Sequence, residues 1–182
     1  MKKACLVVFF ALMVAGSAWC QEKPAAAAPP GPEQQALAGL VGTWKTEGDW
    51  LETPLGPGGK WWGTIESKWF QGECVVVRKV DEKDSLGQES KSLDVIAFDR
   101  KKGTFIWFAV NGDGGHTLMP VNVADGALIF RYDLVEKGRE FVVRITLTGM
   151  GGDTLTCIQE YSPDGENWKP LAKSTDTRIQ TK

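Results

Sequence analysis

Leu40-Val41-Gly42-Thr43-Trp44-Lys45 is an apolar lead-in, a glycine, and a tryptophan that opens an extended run. Downstream of it the chain reads as strands punctuated by turns. Strands are expected at about 42–50, 60–71, 73–81, 89–99, 103–111, 116–123, 127–135, 138–148, 153–161 and 168–180. The turn chemistry between them is explicit. Pro54-Leu55-Gly56-Pro57-Gly58-Gly59 breaks the first pair, Asp99 to Gly103 makes a tight loop, and Asn111-Gly112-Asp113-Gly114-Gly115 makes another. Ala124-Asp125-Gly126, Glu136-Lys137-Gly138 and Asp164-Gly165 are hairpin signals. No amphipathic segment of helical length follows residue 41, so no crossover helix is available and neighbouring strands must run antiparallel. A sheet of about ten strands removes its two unpaired edges by closing on itself. The expected fold is all-β, a single antiparallel up-and-down barrel of about ten strands with a short N-terminal helix.

Alternation supports a sheet with one dry face. In 61–69, Trp61, Gly63, Ile65, Ser67 and Trp69 fall on one side, with Thr64, Glu66 and Lys68 on the other. In 139–147, Phe141, Val143, Ile145 and Leu147 oppose Glu140, Arg144 and Thr146. The stretch 104–110 (Thr-Phe-Ile-Trp-Phe-Ala-Val) is apolar on both faces, which marks its outer side as a surface to be covered or to bind.

Upstream, residues 1–20 read as a secretory signal. Lys2 and Lys3 precede the apolar run Ala4–Val14, and the small residues Ala15, Gly16, Ser17 and Ala18 follow. The run is too short to span a bilayer. Cleavage is expected after Ala18 or Cys20, giving an exported protein, periplasmic or secreted. Lipid attachment at Cys20 is the rival expectation; it needs a small residue before the cysteine, and Trp19 is bulky. Residues 21–33 form an Ala/Pro-rich linker, and 34–182 form the barrel domain. Pro32 to Leu40 can make a short helix, with Leu37, Leu40 and Val41 on one side to plug a barrel end.

The chain has 182 residues and a formal charge of −2. Without Lys2 and Lys3 it has 19 basic and 23 acidic residues, or −4. No block of lysines or arginines offers an electrostatic footprint for nucleic acid or an anionic membrane. Cys74 and Cys157 are expected on strands that are not neighbours, so two unbridged thiols are favoured over a disulfide.

Several of these segments carry a family resemblance. The Leu-x-x-Leu-Val-Gly-Thr-Trp opening with Glu47-Gly48 and the Trp69-Phe70-Gln71-Gly72 step are two of them. Asp94-Val95-Ile96-Ala97-Phe98-Asp99 and Ser162-Pro163-Asp164-Gly165-Glu166-Asn167-Trp168 complete the set. Together they resemble a bacterial group of lipocalin-like proteins known as domain-of-unknown-function family fifteen seventy-nine. More distantly they resemble the lipocalins and fatty-acid-binding proteins of the calycin superfamily. The resemblance covers roughly residues 35–180 and implies a barrel, with no established activity. It also implies a structural pair at the barrel end, Arg178 stacked on Trp44. The two portal helices of fatty-acid-binding proteins have no counterpart in the Pro/Gly-rich 51–60 loop.

Chemistry-bearing residues are sparse. His116 is the only histidine; a haem-binding barrel related to the nitrobindins would use it as ligand, whereas its place after Gly114-Gly115 reads as a polar loop position. One histidine and two separated cysteines lack zinc spacing. The Asn111, Asp113, Asp125 and Asp153 loops lack EF-hand spacing, and Ser162–Trp168 reads as a hairpin. No metal, cofactor or catalytic set is expected. There is no Gly-x-Ser-x-Gly elbow, and an enzyme using loop carboxylates is the least supported reading. The aromatics are the remaining material. Trp50, Trp61, Trp69, Trp107, Phe130, Tyr132 and Phe141 are the candidate lumen lining for a small apolar or amphipathic ligand, with Arg78, Arg131, Arg144 and Arg178 available for an anionic head group. The alternative is an envelope interaction protein with a filled core, docking through 104–110.

Overall fold

The computed structural model describes residues 31–180; the expected signal peptide and most of the linker lie outside them. Strand β1 (Gly42–Trp50) starts at a glycine with φ of +141°, a backbone conformation that side chains rarely adopt. A Cβ at Gly42 would also run into the guanidinium of Arg178. Nine more strands follow: β2 (Gly59–Trp69), β3 (Val75–Asp84), β4 (Glu89–Asp99), β5 (Thr104–Asn111), β6 (His116–Ala124), β7 (Ala127–Glu136), β8 (Arg139–Thr148), β9 (Thr154–Ser162) and β10 (Lys169–Arg178). Each pairs antiparallel with the next, and β10 returns to β1, so the expected all-β barrel of ten strands is the observed fold. Among the described residues, no helix is long and apolar enough to cross a membrane.

Most strand bounds fall within one residue of expectation; the end of β2, both ends of β3 and the end of β10, which stops at Arg178, differ by more. β2 stops at Trp69 because 71–73 form a 3₁₀ turn, which also leaves Cys74 just ahead of β3 rather than on it. β3 runs on to Asp84, whose carboxylate accepts the N–H groups of Leu86 and Gln88 at 2.8 and 2.9 Å and so moves the turn three residues later.

One end of the barrel is sealed. The short helix α1 (Pro32–Gln35) has proline in its first turn, and a 3₁₀ turn over Ala38–Leu40 follows. Leu37 and Leu40 are fully buried among Trp44, Val76, Ile96, Leu128 and Leu155. Trp44 donates its indole N–H to the Leu40 carbonyl at 3.0 Å. Arg178 lies over the Trp44 ring at 4.0 Å and donates to the Val41 carbonyl at 2.6 Å. The last strand is thereby tied to the segment that leads into the first.

The wall is interrupted between β6 and β7. β6 and β7 pair only from Val121–Phe130 to Ala124–Ala127, whereas β7 pairs with β8 from Leu128 to Glu136. The β6–β7 register stops next to Pro120, which has no N–H to extend a ladder. A cleft opens there between Leu118 and Pro120 on one side and Arg131 and Asp133 on the other.

Candidate functional site

Ten strands enclose more space than side chains fill. The lumen holds a cavity of about 670 Å³, reached from the end opposite Trp44, where Trp50, Asn111 and the Asp84–Ser90 hairpin form the rim. Its walls carry Trp61, Trp107, Phe130 and Tyr132. Trp107 stacks on Phe130 with ring centroids 4.7 Å apart, and Trp50 leans on Trp61 at 4.8 Å. Gly48 sits directly across from Trp61, and a Cβ there would strike the indole, so this glycine is what lets the ring lie against β1. Thr117 and Tyr132 border both the cavity and the β6–β7 cleft.

The inward positions are not all apolar. Alternation along β3 turns Arg78 and Glu82 inward, and the same parity turns Asp94 of β4 and Asp176 of β10 to face them. Arg78 is 5% exposed and lies directly across the sheet from Asp94. Its Nη2 is 3.9 Å from Asp176 Oδ2, too long for a hydrogen bond, and its Nε has no partner. The guanidinium rests 5.0 Å from the Trp107 ring. Ser67, also across from Arg78, has a buried hydroxyl without a partner.

Removal from water raises the proton affinity of every carboxylate in this group. Burial, followed by the nearby Asp176, pushes Glu82 up to about 7, against the opposing pull of Arg78 and a hydrogen bond from Trp61. Asp94 is raised by burial while Arg78, Ser92 and Trp107 act against it. Asp176 is raised by burial, opposed by Thr46 and Arg78. Burial also raises the Tyr132 phenol and pushes the Cys157 thiol, on the cavity wall, up to about 12. The lumen is therefore an aromatic chamber with a charged patch, and the patch has more carboxylates than cations.

Of the seven aromatics named from sequence, Trp50, Trp61, Trp107, Phe130 and Tyr132 border the cavity. Trp69 packs beside the core near the sealed end, because strand β2 carries it past Ser67. Phe141 is buried edge-on against Tyr161, 6.0 Å away, in a smaller cluster with Trp61 and Leu171, and does not border the cavity. Of the four arginines, Arg78 alone reaches the lumen. Arg144 grips Glu160 at 2.6 Å on the outer face, and both it and Arg131 stack on Trp168. His116 is exposed, with its ring 5.9 Å from that of Phe108 on the outside. The Asp164 carboxylate accepts N–H groups from Glu166 and Asn167, which closes the 162–167 hairpin and holds its pKa well below the usual range. Cys74 and Cys157 are both free thiols.

Glu82, Asp94 and Asp176 were not legible as site residues from composition. Their signal is parity: Arg78 and Glu82 share phase with Val76 and Val80, and Asp94 shares phase with Ile96.

The fold and site define a β-barrel sealed at one end, with an internal chamber open at the other. Compared by sequence, the chain matches no protein-family model and no curated protein. Compared by structure, it is similar to the protein described as "Crystal Structure of Rv2717c from M. tuberculosis". That match has a TM-score of 0.56 and 13% identity, over 82% of this chain and 99% of the other. A de novo designed fluorescence-activating β-barrel aligns over 79% of this chain and 98% of its own, with a TM-score of 0.42 and 12% identity. At such identities the likeness to the mycobacterial protein speaks for the fold alone.

Proposed function

We propose that this protein is an exported carrier or sensor that holds one small apolar or amphipathic molecule in its barrel, as a member of the bacterial lipocalin-like group that its motifs resemble. The observation that carries this reading is the chamber itself, about 670 Å³ with aromatic walls and an open rim. Concave chambers of this size that combine aromatic walls with convergent polar groups are the usual form of small-molecule sites. Native mass spectrometry of protein purified from its own host is expected to show a co-purifying small molecule. Apolar probes are expected to quench tryptophan emission, since Trp50, Trp61 and Trp107 border the chamber. A chamber that takes up no probe, in protein that carries no ligand, would defeat the reading.

A second reading has its own observation. On the outer face, Phe108 of β5 lies between Val95 of β4 and Leu118 of β6, and Val110 lies beside Leu93, so the apolar side of 104–110 continues across three strands. Docking of another macromolecule there predicts that Phe108→Ser weakens that association and leaves probe uptake unchanged.

A further inference from the structure

The small-molecule reading above underlies this inference, which concerns the chemistry of the head group. The charged patch in the lumen is unbalanced. Among the described residues, Glu82, Asp94 and Asp176 face a single inward guanidinium, that of Arg78, and Asp84 and Glu89 add acidic side chains at the rim. Lys83, also at the rim, lays its ammonium over the outer ring of Trp62 at 5.5 Å. The other titratable groups facing the patch are the Cys157 thiol and the Tyr132 phenol, both held neutral by burial. Buried carboxylates without matching cations are costly, and a positive ligand relieves that cost. The aromatic walls offer apolar surface to the body that carries such a charge.

Arg78 adds an independent requirement. It is 5% exposed, borders the cavity, and its Nη2 stands 3.9 Å from Asp176 Oδ2, beyond hydrogen-bond reach. A bare ammonium would satisfy the carboxylates and leave the Arg78 guanidinium as a donor without an acceptor from the ligand. An anionic head would satisfy the donor and meet Asp94 and Asp176 on either side.

We propose that the barrel takes a protonated amine that also carries an oxygen acceptor, such as an amino alcohol, on an aromatic or alkyl body. The ammonium lies among Glu82, Asp94 and Asp176, the oxygen accepts from the Arg78 guanidinium, and the body packs against the aromatic wall beside Phe130 and Tyr132.

Four probes with one body separate the possibilities by calorimetry at mildly alkaline pH: naphthylalaninol, naphthylethylamine, naphthylethanol and naphthylpropanoate. The expected order is naphthylalaninol tightest, then naphthylethylamine, then the neutral alcohol by a further factor on the order of ten, with the anion weakest. Amine affinity is expected to rise with pH as Glu82 ionises through about 7. Glu82→Gln should remove most of the preference of amine over alcohol, and a cooperative urea transition reports that the variant is folded. Three results overturn the head-group assignment alone: an anion that binds as well as the amines, an amine-to-alcohol ratio untouched by Glu82→Gln, or uptake of plain naphthalene with none of the four bound. Failure of naphthalene and all four probes to bind would remove the small-molecule reading as well.

Discussion

Glu82→Gln also tests the electrostatics of the lumen without any ligand. Burial and the neighbouring Asp176 lift Glu82 from its ordinary 4.5 to about 7. Across that window the folded protein keeps a proton that the unfolded chain has released. Stability is therefore fully present below the unfolded value and is lost as pH rises through the folded one. That interval sets a ceiling of about 3 kcal/mol for the loss. Because Glu82 borders a chamber open at one end, water can reach it, and about 1–2 kcal/mol is the more realistic expectation. Gln matches protonated Glu in shape and cannot ionise. Urea unfolding should give variant and parent nearly equal stability at about pH 5, and at about pH 8 the variant should be more stable by about 1–2 kcal/mol. Asp94 and Asp176 are raised in the same direction and remain in both proteins, so only the difference between the two curves reports Glu82. Parallel curves from acid to alkali would refute the argument, because they would mean that the Glu82 carboxyl is solvated as in the unfolded chain.

The remaining predictions concern the sealed end and the thiols. Arg178→Met removes the stacking on Trp44 and the short bond to the Val41 carbonyl, which together contribute about 2–4 kcal/mol. The exposed ion pair with Asp153 adds little. Urea unfolding should show that loss, and a change below about 0.5 kcal/mol would mean that Arg178 does not hold the barrel end. Cys157, with its thiol pushed up to about 12, should alkylate with iodoacetamide far more slowly than Cys74 in the native protein near neutral pH. Peptide mapping over time reads the two rates, and equal rates would show that Cys157 is not held in a low-dielectric wall.

Much of the architecture was legible because β-structure writes itself locally. Glycine and aspartate turns cut the chain into segments of similar length, and period-two alternation in 61–69 and 139–147 marks the inner face. Antiparallel order followed from the lack of any helix to make a crossover, and closure from the two edges that an open sheet would leave unpaired. The sealed end was legible for the same reason: Leu37, Leu40 and Trp44 are close in sequence, and their apolar character shows where they must go.

The site was less legible, because an inward-facing carboxylate reads like a solvated one until the phase of its strand is known. Trp69 and Trp61 have the same parity on β2, yet one borders the chamber and the other packs near the sealed end, and only the height along the barrel separates them. Arg78, Arg131 and Arg144 are equivalent as residue types; strand phase puts the first in the lumen and the other two under Trp168. The sequence by itself determined the strands, their antiparallel order and the plug at one end, since these depend on turns and periodicity within a few residues. Tertiary structure alone decided that Arg78, Glu82, Asp94 and Asp176 meet, because they come from three strands brought together only when β10 closes on β1. Their shared removal from water, a property of the closed barrel and of no single segment, is what gives the chamber its charge.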